Sequence, residues 1–208
     1  MIDLAASHST AVLVLGAGSG SRFHRDDKLG AELGGAPVAH HVLRTLQPFR
    51  WARKILVCRQ STDWTAAFRE DGYSIVHNDA PEEGMLGSLR RGVMEASGLE
   101  NVLVCLGDMP FIRREHIERL LSKAAQRRGQ VVASRAGDHR GPPAIFPLSA
   151  LAYLPASGEG GARSLLGEAA FVDCRLDEIS DIDTQQDLAD AEAHMAGTRV
   201  PVSQPPSC

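Results

Sequence analysis

No segment of this 208-residue chain approaches the ~20 consecutive apolar residues that a bilayer-spanning helix needs. The opening MIDLAASHST has no basic stretch leading into an apolar one. Export and membrane anchoring are therefore not expected, and a cytoplasmic protein is. Cysteine is scarce: Cys58, Cys105, Cys174 and Cys208 stand far apart without a C-x-x-C pair, and the first two fall inside apolar runs. That argues against a disulfide framework and for a reducing compartment. Positive charge is not in excess, since 22 Lys and Arg face 26 Asp and Glu for a net charge of -4. Neither nucleic acid nor an anionic membrane surface is thus an expected partner, although a local basic pocket for phosphate remains open. The eight histidines form no H-E-x-x-H or other ligand-spaced pair. His77 and His116 read as surface or packing residues. His40 and His41, adjacent on a helix, face different directions and read as structural.

What is present is an alternation. Short runs rich in Val, Ile and Leu, at Ala11 to Leu15, Lys54 to Cys58, Ser74 to Val76, Val102 to Leu106, Val131 to Ala133 and Ala144 to Phe146, read as strands covered on both faces. Between them, helical periodicity marks Val38 to Leu46, Trp64 to Glu70, Met85 to Ala96 and Arg114 to Ala125. A further helix is expected from a Thr184 cap to about Met195, with Asp187 near its positive end. This order predicts an α/β fold of three layers, α/β/α, with a mainly parallel, Rossmann-like sheet and ligands at the carboxyl ends of the strands. One domain over residues 1–195 is expected, followed by a proline-bearing tail over 196–208.

The first strand runs directly into Leu15-Gly16-Ala17-Gly18-Ser19-Gly20-Ser21-Arg22, with Lys28 beyond. Three glycines in five residues let backbone N–H groups turn toward an anion, and Arg22 and Lys28 add charges suited to a triphosphate. No Gly-Lys-Ser/Thr follows, so this is not a P-loop. The sixth position of a dinucleotide fingerprint is Ser21, and no acidic residue ends the second strand, so a nicotinamide cofactor is disfavoured. The fourth strand ends in Gly107-Asp108-Met109-Pro110. A carboxylate there points into the expected cleft and suits Mg²⁺, which takes one or two such oxygens plus substrate phosphates. The alternative for Asp108 is a cap on the helix starting near Arg113.

These motifs, with Gly35-Ala36-Pro37, Gly84-Met85-Leu86-Gly87-Ser88-Leu89, Gly141-Pro142-Pro143-Ala144-Ile145-Phe146, Gly158 to Arg163 and Asp181-Ile182-Asp183-Thr184, resemble the molybdenum cofactor cytidylyltransferases and their guanylyl relatives over about residues 11 to 193. The resemblance implies a fold like that of the nucleotide-diphospho-sugar transferases. It assigns Arg22 and Lys28 to the triphosphate, Asp108 to magnesium, and Asp183 or Asp181, with Asp183 favoured, to the same metal. Asn78 and Ser88 match the region lining the nucleotide pocket, where Ser88 donates to base or ribose, or else Ser88 or Asp79 caps the helix. The family tracks its base by the residue at Ala17, Ala marking the cytidylyl members. A methyl group there leaves less room for a purine, which favours CTP over GTP. The implied reaction is transfer of CMP to the terminal phosphate of molybdopterin with release of pyrophosphate; a receiving molybdoenzyme or chaperone is an implied contact. The family usually has Ala at Gly16, Gly at His24, His at Pro142 and Asp at Glu159. Those departures leave room for a catalytically silent nucleotide-binding protein, while the presence of Arg22, Lys28 and Asp108 argues for an enzyme.

Overall fold

Runs that are apolar on both faces bury best in the middle of a parallel sheet. The most apolar of them, β1 (Thr10–Gly16), lies there. The computed structural model describes residues 4–18, 23, 27–152, 154 and 162–198. After β1 come the two-residue strands β2 (Glu32–Leu33) and β3 (Ala36–Pro37), then α1 (Val38–Leu46), β4 (Arg53–Cys58), α2 (Asp63–Glu70), β5 (Ser74–His77) and α3 (Gly84–Glu95). The chain continues through β6 (Asn101–Leu106), α4 (Arg114–Gln126), β7 (Val132–Ala136), β8 (His139–Pro147), α5 (Leu148–Leu151), β9 (Ala170–Asp173) and α6 (Gln185–Thr198).

Seven strands form one sheet in the order β5-β4-β1-β6-β8-β7-β9. β1 pairs parallel with β4 on one side and β6 on the other. β8 alone among these strands is reversed, antiparallel to both β6 and β7. Its direction follows from the tight turn that joins it to β7: Ala136 faces His139 across Gly137 and Asp138, and Gly137 holds the positive φ of 59° such a turn requires. The chain moves outward from β1 through β4 to β5, then crosses to β6 on the far side. That reversal opens a crevice at the carboxyl ends of β1 and β6, the place where open α/β sheets take ligands.

Alternate residues of the central strands enter two separate cores. Val12, Val14, Leu56, Leu103 and Cys105 pack with α1, α2 and α4, through side chains such as Val42, Phe68 and Ile117. Leu13, Leu15, Ile55, Val57, Val102 and Val104 pack on the other face with Leu86 and Leu89 of α3 and Leu151 of α5. The expected three layers are therefore present. Fully burying each Leu, Ile or Phe contributes about 1.5–3 kcal/mol, so these two layers supply the main drive for folding. No helix among the described residues is long and apolar enough to cross a membrane.

Three features differ from expectation, and His116 takes the packing alternative of its two readings. β9 and the β2–β3 hairpin are too short to show a period. β8 begins at His139 rather than Ala144, because Pro142 and Pro143, which cannot donate to a ladder, sit at a register shift that the strand absorbs. The last helix continues to Thr198, three residues beyond Met195, so the helix claims the first part of the expected tail. His116 is fully buried, where a surface position was one of two readings. Arg119 Nη2 lies 3.0 Å from its Nδ1, its Nε2 lies 2.7 Å from Ser134 Oγ, and that hydroxyl donates to the Pro143 carbonyl at 2.6 Å. His40 and His41 bond the carbonyls of Trp64 and Leu33, each at 2.9 Å.

Candidate active site

Three segments meet at the crevice. The first follows β1. Gly16 is still in register with Cys58, Ala17 is buried in the same apolar cluster as Leu86, and Gly18 is exposed. Ser19, Gly20, Ser21 and Arg22, with His24, lie outside the described residues, as does Glu159. The chain returns in a turn from Asp27 to Ala31, where the Asp27 carbonyl accepts from the N–H groups of Gly30 and Ala31, both at 3.0 Å. The Asp27 carboxylate accepts from Leu29 N–H at 3.2 Å and from Trp64 Nε1 at 2.7 Å. With Asp27 pinned on one side and Leu29 buried on the other, Lys28 is fixed between them and extends toward β6.

Leu29 also accounts for the glycine at position 16. A Cβ on Gly16 would stand 2.9 Å from Leu29 Cδ1 and 3.2 Å from the Trp64 ring, so Leu29 and Trp64 already fill the place of an alanine methyl. Gly16→Ala is expected to cost about 1 kcal/mol as an overpacked core, read from the urea midpoint. Leu29→Val added to it should restore part of that loss; additive losses would contradict the steric account.

The second segment is the end of β6. Gly107 N–H donates to the Leu15 carbonyl at 2.9 Å, drawing Asp108 in beside the turn after β1. The third is Asp181 to Thr184. Ile182 N–H donates to the Asp108 carbonyl at 2.9 Å, and the Ile182 side chain is buried in a cluster with Phe23, Leu33, Val38 and Ala191. Asp183 is half-buried while Asp181 is exposed. Asp187 accepts from the N–H groups of Asp183 and Thr184 at 3.0 and 2.8 Å, and its own N–H donates to Thr184 Oγ1 at 3.1 Å. The Thr184 cap read from the sequence is thus present, and it also fixes the backbone of Asp183.

Lys28 joins all three segments. Its Nζ donates to Asp108 Oδ2 at 2.7 Å and to Asp183 Oδ1 at 3.0 Å. The other Asp108 oxygen, Oδ1, is buried and has no hydrogen-bond partner among the described residues. Burial pushes the Asp108 carboxyl above its ordinary range; Lys28 opposes this and the nearby Asp181 charge adds to it. Burial would lower the Lys28 pKa, but the Asp108 and Asp183 carboxylates outweigh it and hold the ammonium above its usual value. Among the described residues no three His, Cys, Asp or Glu side chains gather into a ready-made metal cage. Two carboxylates with one unsatisfied buried oxygen instead fit a hard cation that draws its other ligands from phosphates and water, as Mg²⁺ does.

Asn78 and Ser88 are both buried, and Asn78 Nδ2 donates to Ser88 Oγ at 2.8 Å, tying the end of β5 to α3. Asn78 Oδ1 accepts from Ala80 N–H at 3.1 Å. Asp27 and Trp64 are neighbours of the cluster that sequence reasoning missed, while Asp187 was read only as favouring the positive helix end and also holds the Asp183 N–H. Thr184-x-x-Asp187 carried a local capping signal, but Asp27 and Trp64 are 37 residues apart with no shared pattern.

The mainly parallel sheet with a polar cluster at its central strand ends has the fold of solved nucleotidyl transferases. A nucleotidyl transferase from Methanothermobacter thermautotroptrophicus superposes on it with a TM-score of 0.75 at 20% identity, over 91% of this chain and 99% of that one. Residues 12–174 match the MobA-like NTP transferase domain, and the chain belongs to that family. It is 34% identical over 110 residues to the probable molybdenum cofactor guanylyltransferase of Pyrococcus furiosus, covering 53% of each chain. It is 30% identical over 136 residues to the bifunctional protein GlmU of Cereibacter sphaeroides, covering 62% of this chain and 30% of that protein. The chain therefore spans less than a third of GlmU's length and about half of the guanylyltransferase's.

Proposed function

We propose that this protein is a magnesium-dependent nucleotidyltransferase that moves CMP from CTP onto the terminal phosphate of molybdenum-bearing molybdopterin and releases pyrophosphate. The observation that carries the reading is Lys28 bridging Asp108 and Asp183 at the carboxyl end of β6, beside the end of β1. Lys28 supplies positive charge to the triphosphate during in-line attack at the α-phosphate. Asp108 and Asp183 would hold magnesium, which offsets charge on the phosphates. Arg22 adds a second positive charge, a guanidinium, to the same phosphates. A phosphate acceptor with a second pKa of roughly 6 is already ionised at neutral pH, so no general base is required.

Ala17 supports CTP as donor: it is buried in the same cluster as Leu86, and a base stacked there loses the room a glycine would leave. The likeness to a probable guanylyltransferase supports a second reading with GTP. Pyrophosphate release from CTP, GTP, ATP and UTP, measured with Mg²⁺ and with or without molybdenum-loaded molybdopterin, separates them. Acceptor-dependent release from CTP alone is expected. A GTP preference would overturn the donor assignment, and release with other phosphorylated acceptors but not molybdopterin would overturn the acceptor.

A further inference from the structure

Lys28 Nζ lies between two carboxylates, 2.7 Å from one and 3.0 Å from the other. That position serves two cations badly. A magnesium–oxygen bond is about 2.1 Å long, so a dication reaching both Asp108 Oδ2 and Asp183 Oδ1 would stand against the ammonium. The lysine does not satisfy the site completely either, since Asp108 Oδ1 is left buried without a donor among the described residues. An unpaired oxygen on a buried carboxylate is costly, and its persistence in a native structure marks a place where another partner is due.

We infer that Lys28 is a placeholder cation: it holds Asp108 and Asp183 together when no nucleotide is bound, and yields them to a divalent metal when a triphosphate draws its ammonium away. This deepens the reading above and rests on it. Without nucleotide, metal binding must displace Lys28 from two anions into a site that offers it nothing in return. With nucleotide, the displaced ammonium gains the phosphate oxygens while the carboxylates gain the dication. Nucleotide and metal therefore bind with positive coupling, and by linkage each raises the other's affinity by the same factor. The pinned turn makes the exchange local: Asp27 is fixed by Trp64 and Leu29 is buried, so the lysine stem swings while its backbone stays in place.

The test is Mn²⁺ affinity of wild type, Lys28→Gln and Asp108→Asn proteins, by electron paramagnetic resonance, without nucleotide and with CTP or GTP, after allowing for Mn²⁺ held by free nucleotide. Lys28→Gln is expected to bind Mn²⁺ five-fold or more tightly than wild type without nucleotide, and to lose most of the nucleotide's enhancement, a coupling in the usual allosteric range. Equal nucleotide-free affinities in the two proteins would overturn the placeholder role while leaving the metal site standing. A wild type that binds no Mn²⁺ even with nucleotide, indistinguishable from Asp108→Asn, would remove the metal reading and this inference with it. Lys28→Met, which keeps the buried stem, repeats the comparison if the glutamine variant does not fold. The wild-type coupling is readable without either variant, and its absence would also overturn the inference.

Discussion

Asp108→Asn is expected to lower pyrophosphate release by roughly a thousandfold, the scale of losing a preorganised electrostatic group aimed at developing charge. The change keeps the shape of the side chain and removes its charge. In the proposed mechanism that charge does two jobs: its Oδ2 holds Lys28, and its Oδ1, without a partner among the described residues, would bind the magnesium. The fold should survive. Burial already disfavours the ionised form of Asp108, so what is lost with the ion pair is largely recovered in desolvation. Lys28 keeps Asp183 as a partner. A stability change of order 1 kcal/mol, or about 2–4 °C in melting temperature for a chain of this size, is the expectation. Steady-state turnover beside a thermal melt checks both halves. Turnover close to wild type in a folded variant would mean that Asp108 caps or packs and does not face the reacting phosphates.

Where the sequence was legible, it was so for a physical reason. The central strands are apolar on both faces, which betrays parallel neighbours, and β1, β4 and β6 lie within a residue or two of their expected bounds. The place of Asp108 in the crevice was legible because a carboxylate after a buried strand must emerge at the strand's carboxyl end. Thr184 was found because capping is local chemistry. β9 escaped because four residues, AFVD, cannot show a period, and β8 was cut short because two prolines imitate a strand end. The sequence left Asp181 and Asp183 as rivals. In the structure the buried Ile182 between them is set by long-range packing, Asp183 bonds Lys28, and Asp181 is exposed. The Asp27–Trp64 hydrogen bond was beyond reach, since nothing local to either residue requires the other. The motif residues announced themselves through chemistry; the residues that aim them became visible only with the fold.

Acid should weaken this fold through His116 by about 2 kcal/mol between pH 7.5 and pH 5. An arginine only donates, so Arg119 beside Nδ1 requires that nitrogen to accept, and the imidazole proton therefore sits on Nε2 facing Ser134 Oγ. Ser134 Oγ–H donates in turn to the Pro143 carbonyl, so every group in the chain is satisfied with a neutral ring. Protonating Nδ1 would set two donors against each other in a buried site. Burial, and then the Arg119 charge, lower the His116 pKa from 6.5 to about 4. The sign follows from proton uptake. Above pH 6.5 neither native nor unfolded histidine is charged, and the native state keeps its full stability. As pH falls from 6.5 toward 4 the unfolded chain binds a proton that the native state refuses, and stability is lost; below 4 both bind it and the loss levels off. Urea unfolding of wild type and His116→Gln at pH 7.5 and 5 isolates this contribution from that of the carboxylates, which both proteins share. The glutamine variant, less stable at neutral pH for want of the imidazole packing, should lose about 2 kcal/mol less than wild type on acidification. An equal loss in both would mean that His116 takes up its proton in the native state, and that the Arg119–His116–Ser134 chain does not hold the ring neutral.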